Sequence, residues 1–249
     1  MAKKFGVPFG NLCAGVNDND FTHRAFSTGI VQKPKRGDSM KPSLSDAINI
    51  QLPYNLERLL FYMTDQNHSL IQKWYQRLES DTTDSSKESG GSFDLTIAAQ
   101  DDKSDSSSAT SWLHKLQTEF RSAKVSDDSL CETIQRVLKT YEYYIDPHTG
   151  VAFDAAEQLG YFASHETSNP VAIMATASPC KFEAAMTKAV GGDKWKDYEE
   201  HHFPVRGKNL KNQKEIPPTR YLADPNKTLE ENQVVWEANT RSLIAKVGR

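Results

Sequence analysis

Three polar clusters in this chain hold the residue types that chemistry needs. The first is Asp146-Pro147-His148-Thr149, just ahead of a helical pattern. A carboxylate beside an imidazole suits acid–base work. The same residues also suit a helix-capping turn that contains a histidine. The second cluster is Thr176, Ser178 and Lys181, within Thr176-Ala-Ser-Pro-Cys-Lys181. The Thr176 hydroxyl suits a ligand nitrogen or the backbone at a strand end. Lys181 follows Pro179, so it is either an amine for a Schiff base or a solvent-facing residue at a helix start. The third is Asn17-Asp18-Asn19-Asp20. Clustered Asn and Asp either cap the helix beginning near Phe21 or face a ligand.

The elements that must position these clusters alternate. Leu12 to Val16 and Val171 to Ala175 are apolar runs of strand length. Ala152, Ala155, Ala156 and Leu159 recur at helical spacing, and Lys181 to Val190 returns to that period. Such alternation predicts an α/β chain with a parallel sheet. Ligands collect at the carboxyl ends of strands in such sheets, which makes Thr176 and Ser178 the first place to look.

Elsewhere, Phe5-Gly6-Val7-Pro8 reads as the stop of a helix. Gln32 to Gly37 reads as a basic surface loop, and Ser43-Leu-Ser-Asp46 as a helix entry or polar turn. Leu56, Leu59, Leu60 and Met63 share one helical face, and Leu70 to Leu78 predicts a second helix. Ser126 caps a helix predicted to run to Tyr141 with Leu130, Ile134, Val137 and Leu138 inward. Leu229, Val234, Trp236 and Leu243 predict an amphipathic C-terminal helix. Residues 79–110 are rich in Ser, Asp, Thr and Gly and are read as a flexible insertion. The expected organisation is therefore residues 1–78 with 111–190, the insertion at 79–110, and a divergent region at 191–249.

Composition narrows the classes. The chain has 249 residues and a formal charge of -3, with a pI of about 6.2. That balance argues against a nucleic-acid binder. No run reaches the apolar length of a membrane span. The N-terminus lacks an apolar segment after its lysines, so a cytoplasmic location is expected. Cys13, Cys131 and Cys180 are odd in number and far apart, as reduced thiols are. His201 and His202 are adjacent and do not have metal-ligand spacing. Gly10-Asn11 is too short to cradle a phosphate.

Taken in order, several segments resemble the threonine synthases of the long yeast and fungal type and their threonine synthase-like relatives. Ala2-Lys-Lys-Phe-Gly-Val-Pro8 is similar to that family's Ala-Lys-Lys-Met-Gly-Leu-Pro. Asn17-Asp-Asn-Asp20 resembles Asn-Glu-Asn-Asp. Leu44-Ser-Asp-Ala-Ile-Asn-Ile50 resembles Leu-Ser-Pro-Ala-Met-Asp-Ile, and Asn55-Leu-Glu-Arg-Leu-Leu60 resembles Asn-Phe-Glu-Arg-Leu-Leu. Asp146-Pro-His-Thr149 matches Asp-Pro-His-Thr. Ala175-Thr-Ala-Ser-Pro-Cys-Lys-Phe182 resembles Ser-Thr-Ala-His-Pro-Ala-Lys-Phe.

The resemblance implies part of a fold-type-II, tryptophan synthase β-like enzyme that uses pyridoxal 5'-phosphate (PLP). It implies a lyase converting O-phosphohomoserine and water to threonine and phosphate. It maps the threonine that bonds the pyridine nitrogen to Thr176. It makes Asn17, Asn19, Asp20, Asp146, His148, Thr149, Ser178 and Lys181 candidate site-lining residues. The departures are informative. The family's Ser-Phe-Lys-Asp motif, which carries the Schiff-base lysine, is absent from the sequence, and so is its Gly-Asn-Phe-Gly phosphate loop. Lys181 aligns with a different lysine, and Ser178 stands where the family has histidine. The expectation is a C-terminal portion, truncated at the N-terminus and inactive alone. It would need a missing N-terminal half or a partner chain. The alternative is a non-catalytic binding protein derived from such an enzyme.

Overall fold

A computed structural model describes residues 2–32, 40–80, 92–94, 114, 116–162, 170–211, 213–214 and 217–247. The chain divides into two compact units, Met1–Pro204 and Val205–Arg249.

In the first unit, β1 (Leu12–Val16) pairs in parallel with β4 (Phe120–Lys124), with Leu12 opposite Phe120 and Val16 opposite Lys124. α1 (Phe21–Thr28) packs against β4, and α5 (Pro147–Gln158) packs against β1. Gly15 permits the second contact. A Cβ there would lie 2.8 Å from the Val151 carbonyl oxygen and 3.0 Å from the Ala155 Cβ. β4 is not foreseen in the sequence, because Phe-Arg-Ser-Ala-Lys shows neither an apolar run nor a clean alternation. A short antiparallel pair joins β2 (Ile30–Gln32) to β3 (Ser92–Asp94). β3 falls within the stretch read as an insertion. The remainder of 79–110, apart from Glu79 and Ser80 at the end of a helix, lies outside the described residues.

Two cores flank the parallel pair. One gathers α1, α2 (Tyr54–Met63) and α3 (His68–Ser80) around Phe21, Phe26, Leu56, Leu60, Trp74 and Leu78. The predicted stripes supply these residues: Leu56 and Leu60 are buried, with Leu59 and Met63 partly so. The other core joins α4 (Asp127–Tyr141), α5, α6 (Glu183–Val190) and α7 (Gly192–His201) around Leu130, Ile134, Val137, Val151, Met186 and Trp195. Ser126 caps α4, its side chain accepting from the Ser129 N–H at 3.3 Å.

The strand expected at 171–175 does not form. Residues 170–177 are without regular structure, and Val171 and Met174 are 39% and 72% exposed. A strand is defined by ladder bonds to a neighbour, and among the described residues none is paired with this run.

The second unit contains α8 (Val205–Lys211) and α9 (Leu229–Val247). α9 starts with a reciprocal box. The Glu231 N–H donates to Thr228 Oγ1 at 3.2 Å, and the Thr228 N–H donates to Glu231 Oε2 at 2.8 Å. The helix is where the sequence predicts it, but Leu229, Val234, Leu243 and Ile244 are exposed. No helix among the described residues is long and apolar enough to cross a membrane.

Candidate functional site

β1 and β4 run out at the same end, where the Val125 N–H still donates to the Val16 carbonyl at 2.8 Å. The chain leaves β1 through Asn17 to Asp20, and α4 begins soon after β4. The segment 41–50 is fastened to this end at three places.

The first place is Asn17, which is buried. Its Nδ2 donates to Ser43 Oγ at 2.8 Å and to Asn49 Oδ1 at 2.7 Å, with Ser45 Oγ at 3.2 Å. Its Oδ1 accepts from the Asn19 N–H at 2.9 Å and from Asn19 Nδ2 at 3.1 Å. Asn19 also exchanges bonds with the Lys41 backbone, at 2.9 and 3.0 Å. The second place is Asp127, whose Oδ1 accepts from the Leu44 N–H at 3.0 Å. The third is His148.

His148 is buried at the start of α5, and its two nitrogens do different work. Nε2 accepts from the Ala47 N–H at 3.2 Å. A backbone N–H can only donate, so Nε2 carries no proton and Nδ1 does. Nδ1–H then donates to Asp146 Oδ1 at 2.9 Å. Asp146 is the N-cap of α5 and also accepts from the His148 N–H at 2.9 Å and from the Thr149 hydroxyl. Burial alone raises its pKa. The bonds from His148 and Thr149 outweigh burial and hold the carboxyl below the ordinary range. The turn therefore caps the helix, and it also clamps a segment about one hundred residues away in sequence. Both imidazole nitrogens are engaged in that work, so in this arrangement the ring is a fastening rather than a free acid or base.

Phe182 packs against the imidazole, its ring centroid 4.6 Å from that of His148. It follows the 3₁₀ turn Pro179–Lys181. Ser178 Oγ donates to Cys180 Sγ at 3.2 Å, and Cys180 is half-buried against the second core. Thr176 and Lys181 are exposed. Asp20 stands at the start of α1 without a side-chain capping bond. It instead pairs with Arg24 at 2.9 Å and Lys124 at 3.7 Å. Burial raises the Asp20 pKa, but those cations outweigh it and lower the net value.

Of the residues singled out by sequence, Asn17 and Asn19 form one hydrogen-bonded network and Asp146, His148 and Thr149 another, and both fasten the segment 41–50. Asp20 lies beside it, and Ser178 connects through the 178–182 turn. Thr176 and Lys181 stay at the surface. Asn49 and the Ala47 N–H are essential members that the residue-by-residue reading missed, although both lie inside the Leu44–Ile50 motif. A cleft of about 570 Å³ lies elsewhere, between α4 and α7, and includes Lys139, Tyr144, Lys194 and Asp197. None of the candidate site-lining residues lines it.

No protein-family model matches the chain. Threonine synthase of Saccharomyces cerevisiae is 28% identical over 223 residues, covering 84% of this chain and 38% of the yeast protein. Threonine synthase of Pseudomonas aeruginosa is 30% identical over 189 residues, covering 76% and 34%. The crystal structure of the yeast enzyme superposes with a TM-score of 0.66 at 26% identity, over 86% of this chain and 39% of that one.

The chain is related to the threonine synthases.

Human threonine synthase-like 2 is also similar, 26% identical over 190 residues. A PLP-bound threonine synthase from Brucella melitensis shares the fold, with a TM-score of 0.64 over 38% of its length. The 249 residues thus span little more than a third of the threonine synthases they match. Their α/β architecture is that of the same part of a PLP enzyme fold.

Proposed function

We propose that these residues form one portion of a PLP-dependent threonine synthase, the lyase that turns O-phosphohomoserine and water into threonine and phosphate. The observation that carries the reading is the double clamp on residues 41–50, Asn17 on Asn49 and the Asp146–His148 pair on the Ala47 N–H. It is built from three of the threonine synthase-like motifs, brought to the carboxyl end of the parallel strands where such enzymes bind ligands. PLP bound there would act as an electron sink, and the protein would set its orientation.

The residues present fit one edge of that cofactor rather than the whole. Thr176 is exposed in the irregular run 170–177 and offers a hydroxyl to a pyridine nitrogen. An aldimine needs a lysine amine, and a phosphate needs a nest of backbone N–H groups. The Ser-Phe-Lys-Asp and Gly-Asn-Phe-Gly motifs are absent from the sequence, and Lys181 lies exposed on a turn. The 249 residues alone therefore do not catalyse. Their contribution is to hold the 41–50 segment and the 178–182 turn in place and to present Thr176. A cytoplasmic location accords with this biosynthetic role. The second reading, a non-catalytic binding protein, draws on the exposure of Val171 and Met174.

Two measurements test the reading. The purified chain is titrated with PLP and followed for aldimine absorbance, and phosphate release from O-phosphohomoserine is assayed. Neither signal is expected from the chain alone. Both are expected once the uncovered portion of a threonine synthase is supplied, with Thr176→Val lowering turnover. Aldimine absorbance in the isolated chain would overturn the division of labour. Full activity of the Thr176→Val assembly would remove Thr176 from the site.

A further inference from the structure

The segment 41–50 is held by three fastenings of different chemistry. At Asn17 a carboxamide donates to Ser43 Oγ at 2.8 Å and to Asn49 Oδ1 at 2.7 Å. At Asp127 a carboxylate accepts from the Leu44 N–H at 3.0 Å. At His148 a buried imidazole nitrogen accepts from the Ala47 N–H at 3.2 Å. Of these groups, imidazole is the one whose ordinary charge change falls between pH 5 and 8. The surroundings of the ring come from three elements. Asp146, at the start of α5, accepts from Nδ1 at 2.9 Å. Segment 41–50 brings the Ala47 N–H, with Asp46 beside it in sequence and exposed. The turn 178–182 brings the uncharged Phe182 ring, flanked in sequence by Lys181 and Glu183, both exposed.

We propose that His148 is a pH-sensitive latch on the 3₁₀ turn Asp46–Ile48: a proton added at Nε2 releases the Ala47 N–H and leaves the start of α5 intact. The two ring nitrogens account for the two halves of this behaviour. In the neutral ring Nε2 offers a lone pair to Ala47. Once protonated, Nε2 is a donor facing a donor, and that bond is lost. Nδ1 carries its proton in both states, so its bond to Asp146 persists and becomes an ion pair. The groups that Asn17 joins, Ser43, Ser45 and Asn49, do not titrate in this range, so both flanks of the turn stay fastened. The latch is closed at the alkaline end of the range and opens as the pH falls. It lies beyond the threonine synthase reading and holds or fails on the isolated chain, whether or not PLP binds.

The test follows the full chain by NMR from about pH 8 to about pH 5. Ring-nitrogen shifts of His148 report which nitrogen carries the proton. Amide exchange at Ala47 is measured relative to its intrinsic rate at each pH. At the alkaline end the proton is expected on Nδ1 alone. As the ring titrates, protection of the Ala47 amide should fall roughly tenfold, the worth of one hydrogen bond, while the amides of α5 keep theirs. His148→Gln puts a carboxamide oxygen that does not titrate near the place of Nε2. It should make protection at Ala47 independent of pH over this range.

A proton on Nε2 at the alkaline end would overturn the latch, as would a ring that keeps one state throughout. Titration of the ring with no loss of protection at Ala47 would overturn it too. Loss of protection across α5 in step with Ala47 would replace a local latch by unfolding of the helix start. The same pH dependence in folded His148→Gln would assign the loosening to another group, such as Asp46 or Asp127. If that variant does not fold, the ring shifts and the Ala47 exchange of the unaltered chain decide by themselves.

Discussion

Replacing Asp146 by alanine should be among the most damaging single changes in the first unit. Asp146 is 1% exposed, and four donors converge on its carboxylate: the His148 N–H, the His148 Nδ1–H, the Thr149 N–H and the Thr149 hydroxyl. Loss of the helix cap costs about 1 kcal/mol. The buried His148 Nδ1–H and Thr149 hydroxyl lose their acceptor, at about 1–3 kcal/mol for each unpaired group. A total of about 4 kcal/mol follows, near a thousandfold in the folded-to-unfolded ratio. For a unit of this size that lowers the melting temperature by about 8–16 °C.

The assay is urea and thermal unfolding followed by circular dichroism at neutral pH. Asp146→Asn is the control. It keeps a capping oxygen but gives up the charge-assisted bonds, so it should cost about half as much. The pH profile separates the charge from the shape. The folded pKa of Asp146 lies below its unfolded value, so the stability it confers is present above about pH 4 and is lost as the pH falls through the folded pKa. Asp146→Asn should lose that part of the acid slope. If Asp146→Ala unfolds within about 1 kcal/mol of the native chain, the clamp is not a stabilising unit and the argument fails.

Four further changes probe other parts of the fold. Gly15→Ala places a Cβ against the Val151 carbonyl, a backbone atom that cannot swing away, and should cost about 1–3 kcal/mol in urea unfolding. Gly10→Ala, with nothing within 4 Å of its Cβ, should be near neutral. Glu142 ends α4 at φ 53°, a left-handed position, so Glu142→Gly should raise stability by about 1 kcal/mol in the same assay. Asn17→Ala removes the donor that joins Ser43 and Asn49, and limited proteolysis should then cut residues 41–50 faster while α2 and α3 stay intact.

Much of this molecule is determined by residues near one another in sequence. The stripes Leu56–Leu60 and Leu130–Ile134–Val137 specify helices with one buried face, since helical period depends only on positions three and four apart. The caps at Ser126 and Asp146 are legible for the same reason, because a side-chain oxygen reaches the N–H groups of its own first turn. Ordered motifs expose the kinship to threonine synthases without any coordinates. Tertiary structure alone decided the rest. β4 is a strand because β1 lies beside it, not because Phe-Arg-Ser-Ala-Lys favours extension. The strand-like composition of 171–175 found no ladder partner among the described residues, so composition and structure part there. His148 became a clamp because Ala47, 101 residues away, returns to donate to it, while Asn17 meets Asn49 across a separation of 32. Local sequence sets what each turn can offer as donor or acceptor, and only the path of the chain settles which distant group comes to take it.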